Sequence, residues 1–454
     1  MSALREEMSA NLRLALPLVL AQMSFVSMGA VDTIIAGRLG ATPLAAVAVG
    51  ATIWFMVFVL FLGLFNACSP LVAQRHGAGR GEHEVGDFVR GALVLAALLG
   101  LVWVALLLAA AAWLPYHLGL DLNTADAARA YLRAIAPGGL PFTLFFALRN
   151  CADGWGQTRA TLFTGVTGFG VNAVVAYGLA NGRWGLPALG ATGCGIATAF
   201  AGAVMAAGYA ALYRWWTPLR GLGLFRPGAR WRPGFTGEIF ALGGPIALIV
   251  TAEAWLFQFG ALMMARFGAQ TVAAHQIAIN FAALSFMVPL SLGMSTAVRV
   301  GRAHGAGDAA AVRLRGITGL WLGAGYALFS ASLMALAPEP IAGAYTLTPE
   351  VRTLAASFLR YAALFQIFDC LQATAAGALR GVSDTRVPML ITVAAYWLVG
   401  LPLAVSLAFE TPVGPPGVWL GFTGGLAVAA GGLCWRFLHY TRNHSGPIGS
   451  ELRS

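Results

Sequence analysis

Twelve apolar stretches follow one another along this chain, each about as long as the ~20 residues that cross a bilayer as a helix, and that succession leaves lipid as its main solvent. In lipid every backbone N–H and C=O must be satisfied internally, which a helix does by itself. The spans are predicted at 14–36, 46–68, 91–113, 129–150, 161–179, 188–213, 238–264, 273–298, 317–338, 353–377, 388–409 and 417–440. Only 10% of the 454 residues are charged, against about a quarter in a soluble protein, so no large soluble domain is expected. The first run is too long for a signal peptide and continues into polar residues, so it is read as a spanning helix. The expectation is an all-α membrane protein.

The net charge of +10 is carried on arginine. The arginines sit in short connections between apolar runs, not in a stripe on a folded domain, so no nucleic-acid partner is expected. The longest central connection, 214–237, holds Arg214, Arg220, Arg226, Arg230 and Arg232 with Pro218, Pro227 and Pro233, and no acid before Glu238. It is read as a cytoplasmic linker between an N-terminal half, 1–213, and a C-terminal half, 238–454. Connections on the same side carry Arg75, Arg80, Arg90, Arg159, Arg299, Arg302, Arg313, Arg315, Arg380 and Arg386, and the opposite ones carry few. Positive charge marks the cytoplasmic face, so both termini are expected there, in a bacterial inner membrane.

The chain also repeats itself. One constant offset pairs Pro17 with Pro245, Gly40 with Gly268, and His76-Gly77-Ala78-Gly79 with His304-Gly305-Ala306-Gly307. An offset shorter by a single position pairs Gly154 with Gly381 and Thr158-Arg159 with Thr385-Arg386. Six spans per half is an even number, so the halves are parallel repeats about an axis along the membrane normal, with the substrate site expected in a central cleft. The HGAG pair is read as turn and cap structure.

Three carboxylates fall in the body of spans: Asp32 in the first, Glu253 in the seventh and Asp369 in the tenth. A charge in hydrocarbon costs about 2.5–3.5 kcal/mol and marks an ion or substrate path. No arginine is expected inside the membrane to neutralise them. Carboxylates without basic partners attract cations and can take a proton when shielded from water, and their oxygens suit hard cations such as Na⁺. Glu253 and Asp369, on the first and fourth helices of one half, are expected to share one ion. Trp255, Phe257, Phe259, Phe365 and Phe368 accompany them, and ring faces attract organic cations. Gln22, Asn66, Asn172, Gln258, His275, Gln276, Asn280 and Gln366 are further polar residues in spans; Gln366 shares a helical face with Asp369, and His275, at the outer start of the eighth, reads as an interfacial histidine with no function or, as the alternative, a proton shuttle. The substrate contacts expected are Asp32, Glu253, Asp369, Phe257, Phe365 and Gln258. The five cysteines form no CxxC pair and read as small core residues. No P-loop, nucleophile elbow or HExxH is present, so neither an enzyme nor an ATP-driven pump is expected, and no cofactor beyond the coupling ion.

The segments MGAVDTIIAGRLG, LRNCADGWGQTR, VAAHQIAIN and LRGVSDTRVPM, in that order and spacing over residues 10–440, resemble the multidrug and toxic compound extrusion (MATE) family. Glu253 in span seven together with Asp369 in span ten resembles its NorM-type branch. The resemblance implies export of small organic cations coupled to entry of Na⁺ or H⁺, by a protein expected to act as a monomer in lipid. It implies cation binding by Glu253 and Asp369 in one half, and by Asp32 with Asn172 in the other. Two positions depart from the pattern: a polar residue one turn after the asparagine is Ala176, and a tyrosine one turn before the tenth-span acid is Phe365. The alternative reading is a flippase for a lipid-linked cell-envelope precursor, which the acidic intramembrane charge disfavours.

Overall fold

The computed structural model describes residues 2–226 and 233–443. Pro227, Arg230 and Arg232 of the linker lie outside the described residues. Twelve helices are long and apolar enough to cross a membrane. They are α1 Leu4–Leu39, α2 Ala41–Gly77, α3 Glu82–His117, α4 Leu122–Gly154, α5 Thr158–Asn181, α6 Ala191–Trp215, α7 Gly234–Ala265, α8 Ala269–Gly305, α9 Ala309–Leu336, α10 Pro349–Gly381, α11 Arg386–Phe409 and α12 Pro416–Asn443. The number and order are those expected from the apolar runs. The helices outreach those runs, however, and α1 and α8 continue well past their apolar portions. Their polar ends pack against protein, so hydropathy alone does not mark where they stop.

Repeated sequence becomes repeated geometry. Gly40 and Gly268, which open α2 and α8, both sit at positive φ, 125° and 97°, a conformation that strains any residue with a Cβ. A Cβ on Gly154 would meet the Ser69 carbonyl oxygen and Val72; one on Gly381 would meet Val300 and the Ala297 carbonyl oxygen. Ser69 and Val72 are the repeat partners of Ala297 and Val300, at the offset that pairs Pro17 with Pro245. Each glycine therefore makes the same close approach in its own half.

The chain folds into two compact units, and these do not coincide with the sequence halves. One is Pro17–Val72 with Arg80–Ala247; the other is Met1–Leu16, Ala73–Gly79 and Leu248–Ser454. The ends of α1, α2 and α7 are therefore exchanged. α1 changes unit between Leu16 and Pro17, and α7 between Ala247 and Leu248, just past Pro245, the repeat partner of Pro17. Proline lacks the N–H that would continue the helical ladder, which eases a bend there.

Within the second unit, Asn11 donates to Thr296 at 3.1 Å and accepts from Ser295 through its carbonyl at 2.8 Å. Glu7 is ion-paired with Arg299 and Arg315. Gln74 donates to the Gly381 carbonyl at 2.7 Å and to Ser383 at 2.8 Å. The HGAG glycines do more than turn the chain. Gly77 and Gly305 end α2 and α8, and a Cβ on Gly77 would stand 1.9 Å from the Arg302 carbonyl oxygen, one on Gly305 2.0 Å from that of Gln74. The bare backbone lets these two helix ends cross in contact.

Candidate functional site

The first acid, Asp32, lies on α1 and is 4% exposed. Thr198 of α6 donates its hydroxyl to Oδ2 at 2.8 Å, and Asn172 of α5 reaches Oδ1 at 3.4 Å and the Thr198 hydroxyl at 3.2 Å. Asp32 and Asn172 are thus brought together as expected, and Thr198 completes the triangle. Ala176 is fully buried one turn beyond Asn172 and adds no oxygen.

Asp369 of α10 and Glu253 of α7 meet inside the other unit, close enough for their charges to interact. Asp369 is 4% exposed and its Oδ1 makes no hydrogen bond among the described residues. The Tyr396 hydroxyl of α11 lies near Glu253 and donates to Gln372 Oε1 of α10 at 2.6 Å. Tyr396 falls on a π-helical segment, Ala395–Gly400, inside α11. Pro402 follows it; a proline ring clashes with the carbonyl four residues back in a regular α-helix, and a π turn is one way a helix absorbs such a misfit. The widened turn carries Tyr396 inward, 1% exposed.

One expectation about charge is corrected. Arginine does enter the body of the protein. Arg380, at the end of α10, attracts Glu253. In the other unit Arg149 and Asp153 of α4 are both buried and paired, Nε to Oδ2 at 3.5 Å. Arg149 also donates to Gln22 at 2.8 Å and lies over the Phe25 ring, while Thr161 donates to Asp153 at 2.5 Å and contacts the Tyr209 hydroxyl at 2.6 Å. This further acid has its own arginine: Asp153 Oδ1 accepts from Thr161, while Oδ2 and Arg149 Nε are held by their ion pair without a hydrogen bond. Among the described residues Asp32 has neutral donors, and the Glu253–Asp369 pair has two acids facing one arginine.

The aromatic expectations divide. Phe257 and Phe365 pack edge to face at 5.8 Å, and Phe365 meets Trp419 in the same way. Trp255 and Phe259, on the same helix as Phe257, are exposed on their unit. Gln258 is half-buried. Gln366 is fully buried beside Cys370. His275, near the start of α8, is 3% exposed, with its ring edge to face with Trp419 at 5.4 Å.

The family model MatE matches residues 17–178 and again 245–406, two stretches of equal length set apart by the spacing of the internal repeat. The chain belongs to the MatE family. It is 40% identical to the multidrug resistance protein PmpM of Pseudomonas aeruginosa, over 97% of this chain and 93% of that one. It is 36% identical to the multidrug resistance protein NorM of Vibrio vulnificus, over 98% of each. Among solved structures it is similar to the eukaryotic MATE transporter AtDTX14, at 20% identity and a TM-score of 0.86 over 97% of this chain and 98% of that one. It is likewise similar to the Vibrio cholerae MATE transporter VcmN in its bent form, at 18% identity and a TM-score of 0.84 over 98% and 99%. At such low identity these two likenesses establish the MATE fold and no more. The MatE family is one of transporters, not enzymes. The comparisons give no support to the flippase alternative.

Proposed function

We propose that this protein exports small organic cations by alternating access, each cation exchanged for Na⁺ or H⁺, as a monomer in a bacterial inner membrane with both termini cytoplasmic. The observation that carries the reading is the Glu253–Asp369 pair: two acids within one unit, one arginine in reach, and one Asp369 oxygen without a hydrogen-bond donor among the described residues. Such a pair attracts one positive charge at a time. An organic cation, a sodium ion and a proton compete for it, and that competition is the physical basis of exchange. Half-buried Phe257, backed by the buried ring of Phe365, offers apolar and ring-face surface for an aromatic cation. Asp32, held by Asn172 and Thr198, is a second, separate acid in the other unit, suited to a role of its own in coupling or cargo binding. The multidrug resistance relatives point to the same kind of cargo.

The test is transport by purified protein in sealed vesicles loaded with ethidium. A sodium gradient and a pH gradient are imposed separately. Ethidium moving against its own gradient under either one, and failing to do so in Glu253→Gln, supports exchange at this pair. Ethidium flux that ignores both gradients would overturn it.

A further inference from the structure

Arg302 stands where one unit gathers positive charge, and nothing in the coupling chemistry calls for it. It lies one turn past Arg299 on α8, near both Arg299 and Arg315 of α9, and all three belong to the same unit. Glu7 of α1 is taken up by the other two: Arg299 donates to it through Nε at 3.0 Å, and Arg315 Nε is ion-paired with it at 3.5 Å. Arg302 is left over. Its Nε and that of Arg315 are both buried and make no hydrogen bond among the described residues. A guanidinium only donates, so what these two N–H groups lack is an acceptor oxygen.

The charge does not balance within the fold either. Among the described residues one carboxylate pairs with three arginines, which leaves an excess of two positive charges. α2 ends at Gly77 and α8 at Gly305, where the two cross, and each helix C-terminus presents about half a negative charge. Together they offset roughly one of the two. Asp308 does not supply the rest, because its Oδ1 caps α9 by accepting from the Ala311 amide at 2.9 Å. Arg75 and His76, in the last turn of α2, add no negative charge. About one positive charge therefore remains at a half-buried place.

Depth says what carries the missing oxygens. α9 bears an exposed apolar stripe, Trp321 and Leu328, on one helical face, and tryptophan favours the membrane–water interface. Arg315 lies toward the start of α9 from Trp321, about 9 Å along the axis at 1.5 Å per residue. That is where hydrocarbon gives way to headgroups, and basic pockets between helix ends there hold anionic lipid. We propose that Arg302 and Arg315 form a binding site for the phosphate of an anionic phospholipid. Its phosphodiester brings one negative charge and several acceptor oxygens, matching the surplus charge and the two unmet donors. A zwitterionic lipid also brings an ammonium group, which the arginines repel. The site is separate from Glu253 and Asp369 and does not depend on how they exchange cations.

The test is native mass spectrometry of the purified, delipidated protein with added phosphatidylglycerol, phosphatidylethanolamine or inorganic phosphate. We expect phosphatidylglycerol to be retained in preference to phosphatidylethanolamine, and Arg302→Gln to weaken its binding about tenfold, as the loss of one charge-assisted hydrogen bond does. Arg302→Lys keeps the charge without the fork of donors and should fall between the two. Arg352→Gln, which removes an exposed arginine paired with Glu339, should change nothing. Glu7→Gln withdraws the competing carboxylate and should tighten the binding. Equal retention of the two lipids, an Arg302→Gln protein that binds like wild type, or displacement of phosphatidylglycerol by inorganic phosphate at equal concentration would each overturn the proposal. Should Arg302→Gln not fold, the direction of the Glu7→Gln change decides.

Discussion

Thr198 donates its hydroxyl to Asp32 Oδ2 at 2.8 Å, from a helix 166 residues further along the chain. Hydrogen bonds to charged groups contribute about 1.5–3 kcal/mol. Thr198→Val keeps the shape of the side chain and removes that donor, whereas Thr198→Ser retains it. We expect ethidium efflux from cells expressing Thr198→Val to fall about tenfold or more, the ratio that ~1.4 kcal/mol represents, with Thr198→Ser near wild type. Equal efflux in the two variants at equal expression would remove Thr198 from the site.

Glu253 and Asp369 are expected to act as one group. If both hold the same cation, losing either charge forfeits most of the binding and losing both costs little more, as with residues that work as a unit. Ion-driven efflux is compared in Glu253→Gln, Asp369→Asn and the double variant. Mild single effects that simply add would mean two independent sites.

The Arg149–Asp153 pair has a different purpose, and stability is the place to see it. Removing one partner of a buried ion pair leaves an uncompensated charge and costs about 3–5 kcal/mol, while replacing both with apolar residues is often neutral. Arg149→Met should therefore lower the unfolding midpoint in detergent, and Arg149→Met with Asp153→Leu should recover most of the loss. A double variant less stable than Arg149→Met would show that the charges, not their balance, hold α4 to α1.

The spans were legible because lipid imposes one demand on every backbone group, and the repeat was legible because Gly40, Gly154 and their partners serve the same turn and the same close approach twice. The acids Asp32, Glu253 and Asp369 stood out because charge is rare in apolar runs. Thr198 and Tyr396 did not, since a hydroxyl in a helix is ordinary until tertiary packing brings it to a carboxylate. Gln372 carried a weak signal, three positions from Asp369 and so near its helical face. Arg149 and Asp153 lay in the motif LRNCADGWGQTR and were hidden by its position at the end of a run, where charge normally means a loop. The exchange of helix ends left no local trace at all, because it depends on contacts such as that of Asn11 with Thr296, 285 residues apart.

That exchange governs the order in which the molecule can be assembled. Glu7 and Asn11 leave the ribosome well before their partners Thr296, Arg299 and Arg315. At about 5–20 residues per second, the N-terminal turns of α1 wait roughly 15–60 s for α8 to exist. Until then Glu7 has neither arginine, and the first six helices are inserted but not finished. The protein cannot mature one half at a time; the nascent chain closes its opening helix only after the eighth has entered the membrane.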